Sequence, residues 1–217
     1  MVGAVSTVPT TPKGRHTRAQ LLVAARRVFA RDGFVGARMS DIATEAGVSL
    51  GGLYRYFVNK ENVFETLIAD THEQLYRASQ PVEHHLSTDP YAALLEANQG
   101  YLRHYYENRD VMRTLIEAAN VEPTFRDFWW KMRSRHTERF TASLRRAPNM
   151  RELDELELRL GADAMACMVE QAAYVWYAQE ALHDLDAPVE DAARVLTRAW
   201  YRLFFAGDEL PETPEPG

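Results

Sequence analysis

The 217-residue chain has a single cysteine, Cys167, which excludes an internal disulfide framework and any metal site built from cysteines alone. It lacks any run of about 18 or more consecutive apolar residues, so no segment suits a membrane-crossing helix. Apolar and polar residues never alternate for long enough to make a convincing strand. The first residues, Met1–Pro12, carry no charged side chain and lack the basic-then-apolar profile of a secretory signal, so a cytoplasmic protein is expected. Catalytic signatures are missing as well. There is no Gly-x-Ser-x-Gly elbow, no glycine loop to cradle phosphates and no His-Glu-x-x-His. Only Glu180–His183 has the Glu-x-x-His spacing that helical carboxylate-bridged metal proteins carry in pairs. The chain is therefore read as a non-enzyme without metal or cofactor.

What is present is an uneven distribution of charge. Residues 1–60 hold nine lysines and arginines against three acids, a net of +6, while residues 61–217 hold 16 against 28, a net of −12. A basic head on an acidic body is the footprint of a molecule that lays one end against a polyanion. Accidental clustering of surface charge is the plainer alternative. A helical protein-interaction adaptor would explain the body but not this head.

The periodicity is helical throughout, which makes the fold class all-α. Leu21, Leu22, Ala25, Val28 and Phe29 form one apolar stripe of a first helix at about Thr17–Asp32, closed by Gly33. Ser40 is the expected N-cap of a short second helix carrying Ile42, Ala43 and Ala46, and Gly47 ends it. A third helix follows Ser49, again a plausible N-cap, and runs to about Phe57. Asn59 caps a fourth with the stripe Val63, Phe64, Leu67, Ile68 and Leu75. Loops this short force the four to pack as one unit. Asp89–Pro90 opens a longer helix through Tyr101 and Tyr105. Others are expected near 110–119, 122–147, 152–184 and 188–206. The tail from residue 207, with three prolines and three glutamates, is expected to be disordered.

Met39–Val58 (MSDIATEAGVSLGGLYRYFV) carries the most specific pattern. Two short helices crossing tightly need a small residue at Ala43, a left-handed turn at Gly47, and Val48, Leu53 and Ile42 in the wedge between them. Gly51 and Gly52 are poor helix formers, so their presence implies close approach of another surface, either a nucleic-acid groove or a neighbouring helix. Tyr54 and Tyr56 point in different directions on a helix, so both cannot be core. With Arg55 and Lys60 they offer hydroxyl and cationic groups to phosphates. Ser40 and Ser49 offer the same at helix N-termini, where capping and phosphate contact can coexist.

From Thr17 to about Leu67 the chain closely resembles the tetracycline-repressor (TetR) family of transcriptional regulators, through LLVAARRVFARDGF, SDIATEAGVSLGGLYRYF and NKENVFETLI. The resemblance implies an Ω-shaped homodimer with the third helix in the major groove of a palindromic operator in double-stranded DNA. It places Ser40, Ser49, Leu50, Gly51, Gly52, Tyr54, Tyr56 and Lys60 on positions that often touch DNA. Leu50, Gly51 and Gly52 stand where many members carry polar side chains. Direct base readout is then sparse, and Arg55 becomes the candidate base reader, with a phosphate grip as its alternative role. Arg38 completes the DNA-binding set. The basic stretch Lys13–Arg18 has two open readings, a minor-groove arm or a solvated tail. The implied organisation is a flexible arm at 1–14, a helix-turn-helix DNA-binding domain with a three-helix core at 15–75, a larger helical ligand-binding and dimerisation domain at 76–206, and the tail at 207–217.

The expected function is that of a dimeric repressor released from its operator by a small, largely apolar effector. Such bodies commonly hold an inducer between central helices. The aromatic and methionine-rich residues that suit an adaptable cavity here are Tyr101, Tyr105, Met112, Phe125, Trp129, Met165, Met168 and Trp176. Ordinary core or dimer packing is the competing reading of each. Glu117 and Glu170 lie in apolar surroundings and need partners, supplied by a cationic ligand or by an arginine such as Arg113. Cys167, flanked by alanine and methionine, reads as a buried and inert thiol. In the last helix, Val195, Leu196, Ala199, Trp200, Leu203 and Phe204 form a stripe too broad for one domain, which assigns the last two helices to dimer pairing as a four-helix bundle.

Overall fold

The computed structural model describes residues 9–179 and 185–206. These form helices without a strand: α1 Pro12–Gly36, α2 Met39–Glu45, α3 Leu50–Tyr54, α4 Lys60–Ala78, α5 Pro90–Glu107, α6 Arg109–Val121, α7 Pro123–Leu144, α8 Glu155–Ala173 and α9 Val189–Phe204. The expected tail at 207–217, most of the 1–14 arm and the Glu180–His183 pair lie outside the described residues.

Local chemistry sets the helix starts. Thr11 accepts a hydrogen bond from the Gly14 N–H and Pro12 occupies the first turn, so α1 begins before the expected Thr17. Lys13–Arg18 are therefore helical rather than a loose arm. Asp89 caps α5 ahead of Pro90, and Asp154 with Glu157 forms a reciprocal capping box at α8. One expectation is corrected here. Ser40 is not the N-cap of α2, which starts two residues earlier than that cap implies; Arg38 takes the extended cap conformation and the Met39 side chain is buried.

The chain divides into two compact units. The first comprises residues up to Glu73 together with Asp110–Trp129, and the second comprises Gln74–Arg109 and everything from Trp130. The head is thus not the continuous 15–75 segment expected, because α6 and the start of α7 belong to it. Its core joins Leu21, Val28 and Phe29 of α1, Ile42 and Ala43 of α2, Leu53 of α3 and Val63, Phe64 and Ile68 of α4. Phe125 closes an aromatic cluster, 5.0 Å from Phe34 and 5.2 Å from Phe64 between ring centroids. Each buried phenylalanine contributes roughly 1.5–3 kcal/mol.

In the second unit α5 packs mainly on α9, pinned by a buried hydrogen bond from the Asn98 amide to the Thr197 hydroxyl at 2.9 Å. Gly100 lets the end of α4 approach its backbone closely; a Cβ there would lie 1.8 Å from the Ala78 carbonyl oxygen. In α8, Leu158, Ala162, Val169 and Ala173 turn inward. The helix ends in a π-helical turn, Tyr174–Ala178.

Candidate nucleic-acid interface

The turn between α2 and α3 has the geometry its residues demand. Gly47 sits at φ +67, in the left-handed region open to glycine. Ala43 and Ile42 are buried, and the Val48 N–H donates to the Ala43 carbonyl at 3.0 Å. Ser49 caps α3, its Oγ accepting from the Gly52 N–H at 3.1 Å. Leu53 and Phe57 fix the other side of α3 in the core.

With that side buried, the opposite one is presented to solvent. Arg38, Ser40, Ser49, Leu50, Gly51, Tyr54 and Arg55 are all exposed, and Gly52, Tyr56 and Lys60 are half-buried. Tyr54 is 50% exposed, a large apolar ring in water. No protein atom lies within 4 Å of a Cβ built on Gly51, so close helix packing does not account for that glycine. The open-surface reading of Gly51 is the one left.

Charge follows the same division. Two of the acids on α1 and α2 are engaged: Arg31 pairs with Asp32 at 2.8 Å, and Arg27 reaches Glu45 at 3.3 Å. Among the described residues, Arg38 and Arg55 form no ion pair, so their charge is left for an outside partner. Lys60 is placed differently. Its Nζ donates to the Phe34 carbonyl at 2.8 Å and lies 4.6 Å over the Phe34 ring, which ties the start of α4 to the end of α1. Arg18 lies similarly inward, over the Phe57 ring and bonded to the Thr66 hydroxyl.

The ten residues expected to line an effector site fall into both units. Met112, Glu117, Phe125 and Trp129 belong to the head. There the Glu117 carboxylate accepts the N–H groups of Phe34 and Val35, both at 3.2 Å, beside Gly33. Its partners are these backbone amides, while Arg113 reaches the Ala30 carbonyl instead. Tyr101, Tyr105, Met165, Met168, Glu170 and Trp176 belong to the second unit. Glu170 is bonded by Arg133 at 2.8 Å, and Arg133 is only 7% exposed. Burial pushes the Glu170 carboxyl up to about 7 against the pull of that guanidinium. Burial likewise raises the Tyr101 and Tyr105 phenols, with the Glu170 charge adding to both.

Sequence reasoning does not single out Arg133; Tyr174, one of the body's many aromatics, accepts a hydrogen bond at its hydroxyl from the Gln179 amide at 2.7 Å. An arginine close to Trp129 and Trp130 within a helix is the available signal. Arg26 and Asp110, joined by two hydrogen bonds of 2.6 and 2.7 Å, escape it as well. Cys167 corrects a further expectation. It lies off the inward stripe of α8 and is exposed, with Sγ 3.0 Å from an Arg133 nitrogen.

Over residues 21–67 the chain matches the model of "Bacterial regulatory proteins, tetR family". It is similar to the HTH-type transcriptional regulator TtgR of Pseudomonas putida, 38% identical over 74 residues that make up 33% of this chain and 35% of that protein. The HTH-type transcriptional regulator UidR of Escherichia coli is 37% identical over 72 residues, 33% of this chain and 37% of that protein. The matched region spans about a third of the length of these relatives. Among solved structures, the TetR family transcriptional regulator PfmR of Thermus thermophilus superposes with a TM-score of 0.66 at 24% identity, covering 82% of this chain and 94% of its own. A transcriptional regulator of a Rhodococcus species gives 0.69 at 21%, covering 89% and 99%. At these identities the likeness is one of fold.

Proposed function

We propose that the chain, which matches the tetR-family model over residues 21–67, is a homodimeric transcriptional repressor that leaves a palindromic operator when a small molecule binds its helical body. The observation that carries this reading is the exposed set on α2 and α3. Gly51, Tyr54 and Arg55 are exposed on and at the end of α3, whose Leu53 is locked in the core, and the cap residues Arg38 of α2 and Ser49 of α3 are exposed as well. A helix lodged in the major groove needs small residues for close approach, hydroxyls and cations for phosphates, and at least one side chain for base edges. Gly51, Ser49 with Tyr54, and Arg55 supply these in turn.

Dimer formation is supported by α8. Leu156 is 65% exposed and Leu160 59%, and Ala164, Cys167, Gln171 and Val175 continue the same face at helical spacing. Pairing with a second copy covers that stripe, and a twofold dimer meets a twofold operator. In α9, Leu196, Trp200 and Phe204 are buried within their own unit, Ala199 and Leu203 are half-buried and Val195 is exposed, so the expected stripe is only partly available to a partner. For the effector, Tyr101, Tyr105 and Glu170 support a site with an aromatic floor and a few polar groups.

The test is selection of bound fragments from a random duplex library, followed by release with candidate metabolites. Recovery of an inverted repeat, with affinity falling steeply as salt rises, is the expected result. Failure to retain any duplex at low ionic strength refutes the reading.

A further inference from the structure

The second unit contains a cleft of about 480 Å³ between the α4–α5 connection and the carboxyl end of α7. That volume is within the roughly 300–1,000 Å³ typical of small-molecule pockets. One wall carries Arg139, Ser143 and Arg146, which recur at the spacing of a single helix face. The other carries His84, His85 and Ser87. Among the described residues, no acidic side chain lines it.

Both walls are built before any ligand arrives. The Arg139 guanidinium donates to the Tyr76 carbonyl at 2.8 Å and to the Ser79 hydroxyl at 2.9 Å, and it stacks 4.2 Å over the Tyr76 ring. The opposite loop is held by Glu96. Its carboxylate accepts the N–H groups of Val82, Glu83 and His84 at 2.7 to 3.2 Å and faces the His84 Nδ1 at 3.2 Å. Burial opposes that charge, but these bonds hold Glu96 below the usual carboxylate range. By contrast, Arg146 and His85 are exposed, and among the described residues the one side-chain bond of Arg146 is a long 3.4 Å contact to Ser143 Oγ. They are the groups with donors to spare.

We propose that this cleft binds a small organic anion carrying a phosphate group. Guanidinium groups on one wall and imidazoles with a hydroxyl on the other approach a tetrahedral oxyanion from two sides. A planar carboxylate, with two oxygens in one plane, meets one wall at a time. The site is separate from the effector reading above and does not depend on DNA binding.

The experiment is calorimetric titration of the full-length protein with inorganic phosphate, with acetate, and with sodium chloride at matched ionic strength. It is repeated with Arg146→Gln and His85→Gln, both exposed positions whose loss leaves the Arg139 and Glu96 anchors intact. Saturable phosphate binding that Arg146→Gln weakens by about tenfold is expected, the size of one charge-assisted hydrogen bond. His85→Gln should weaken it less. Equal binding by wild type and both variants, or heat no greater than that of chloride, overturns the site. Acetate binding as tight as phosphate overturns the ligand class. Operator binding by Arg146→Gln is measured alongside and should be unchanged, which separates a failure here from a failure of the regulator reading.

Discussion

Replacing Gly33 with alanine tests the junction between α1 and α6. Gly33 has φ 68 and ψ 178, a combination essentially confined to glycine, and holding another residue there costs about 1–3 kcal/mol. A Cβ would also lie 2.6 and 2.8 Å from the two Glu117 carboxylate oxygens. Glu117 must then retreat from the Phe34 and Val35 N–H groups, and losing two bonds at this length adds about 1–2 kcal/mol. The sum is roughly 2–5 kcal/mol, which in a protein of this size lowers the melting temperature by about 5–20 °C. Differential scanning calorimetry of Gly33→Ala, Glu117→Ala and the double variant separates the two parts. In the Glu117→Ala background the glycine substitution should cost about 1–2 kcal/mol less, because the clash has gone. A melting temperature within about 2 °C of wild type would refute the strain argument. An undiminished penalty in the double variant would refute the clash.

Gly100→Ala inverts the usual benefit of alanine in a helix; with its Cβ 1.8 Å from the Ala78 carbonyl it should destabilise by about 1–3 kcal/mol or more in urea unfolding, and any stabilisation contradicts the close α4–α5 approach. Glu170 is raised from 4.5 to about 7 in the folded chain, so the folded state holds the extra proton and stability falls as pH rises between those values. Glu170→Gln should flatten the urea midpoint across that window; an unchanged slope assigns the effect to another group. Arg55→Ala should cost about 1–3 kcal/mol of operator affinity and relax sequence preference, whereas Tyr54→Phe should weaken all duplexes alike. Retained preference in Arg55→Ala removes Arg55 as the base reader. Lys60→Ala should lower thermal stability as well as DNA affinity, since its ammonium bridges to the Phe34 carbonyl.

The helix-turn-helix was legible because its constraints are local. Ala43, Gly47, Val48 and Leu53 lie within eleven consecutive positions, and each is forced by the crossing of two short neighbours. The positive φ of Gly47 and the cap at Ser49 followed directly. The cap of α2 differs from expectation by two residues of register, Arg38 in place of Ser40, because a buried Met39 outweighs a good capping side chain. Long-range partners were not legible. Nothing near Glu117 in sequence announces that it reaches back 83 residues to the Phe34 amide, or that Arg133 is the partner of Glu170. Charge and apolar context showed that both carboxylates needed partners, while only the folded chain chooses them. Cys167 escapes for a related reason: flanking apolar residues on a helix point in other directions, and its own face turns outward.

The insertion of Asp110–Trp129 into the head has a practical corollary for anyone building hybrid sensors. Excising residues 15–75 as a portable reader would strip Phe34 and Phe64 of Phe125 and leave Arg26 without Asp110. A graft that is to keep this unit whole must therefore be cut from two stretches of chain, not one, and the recipient must accept both ends of the second stretch.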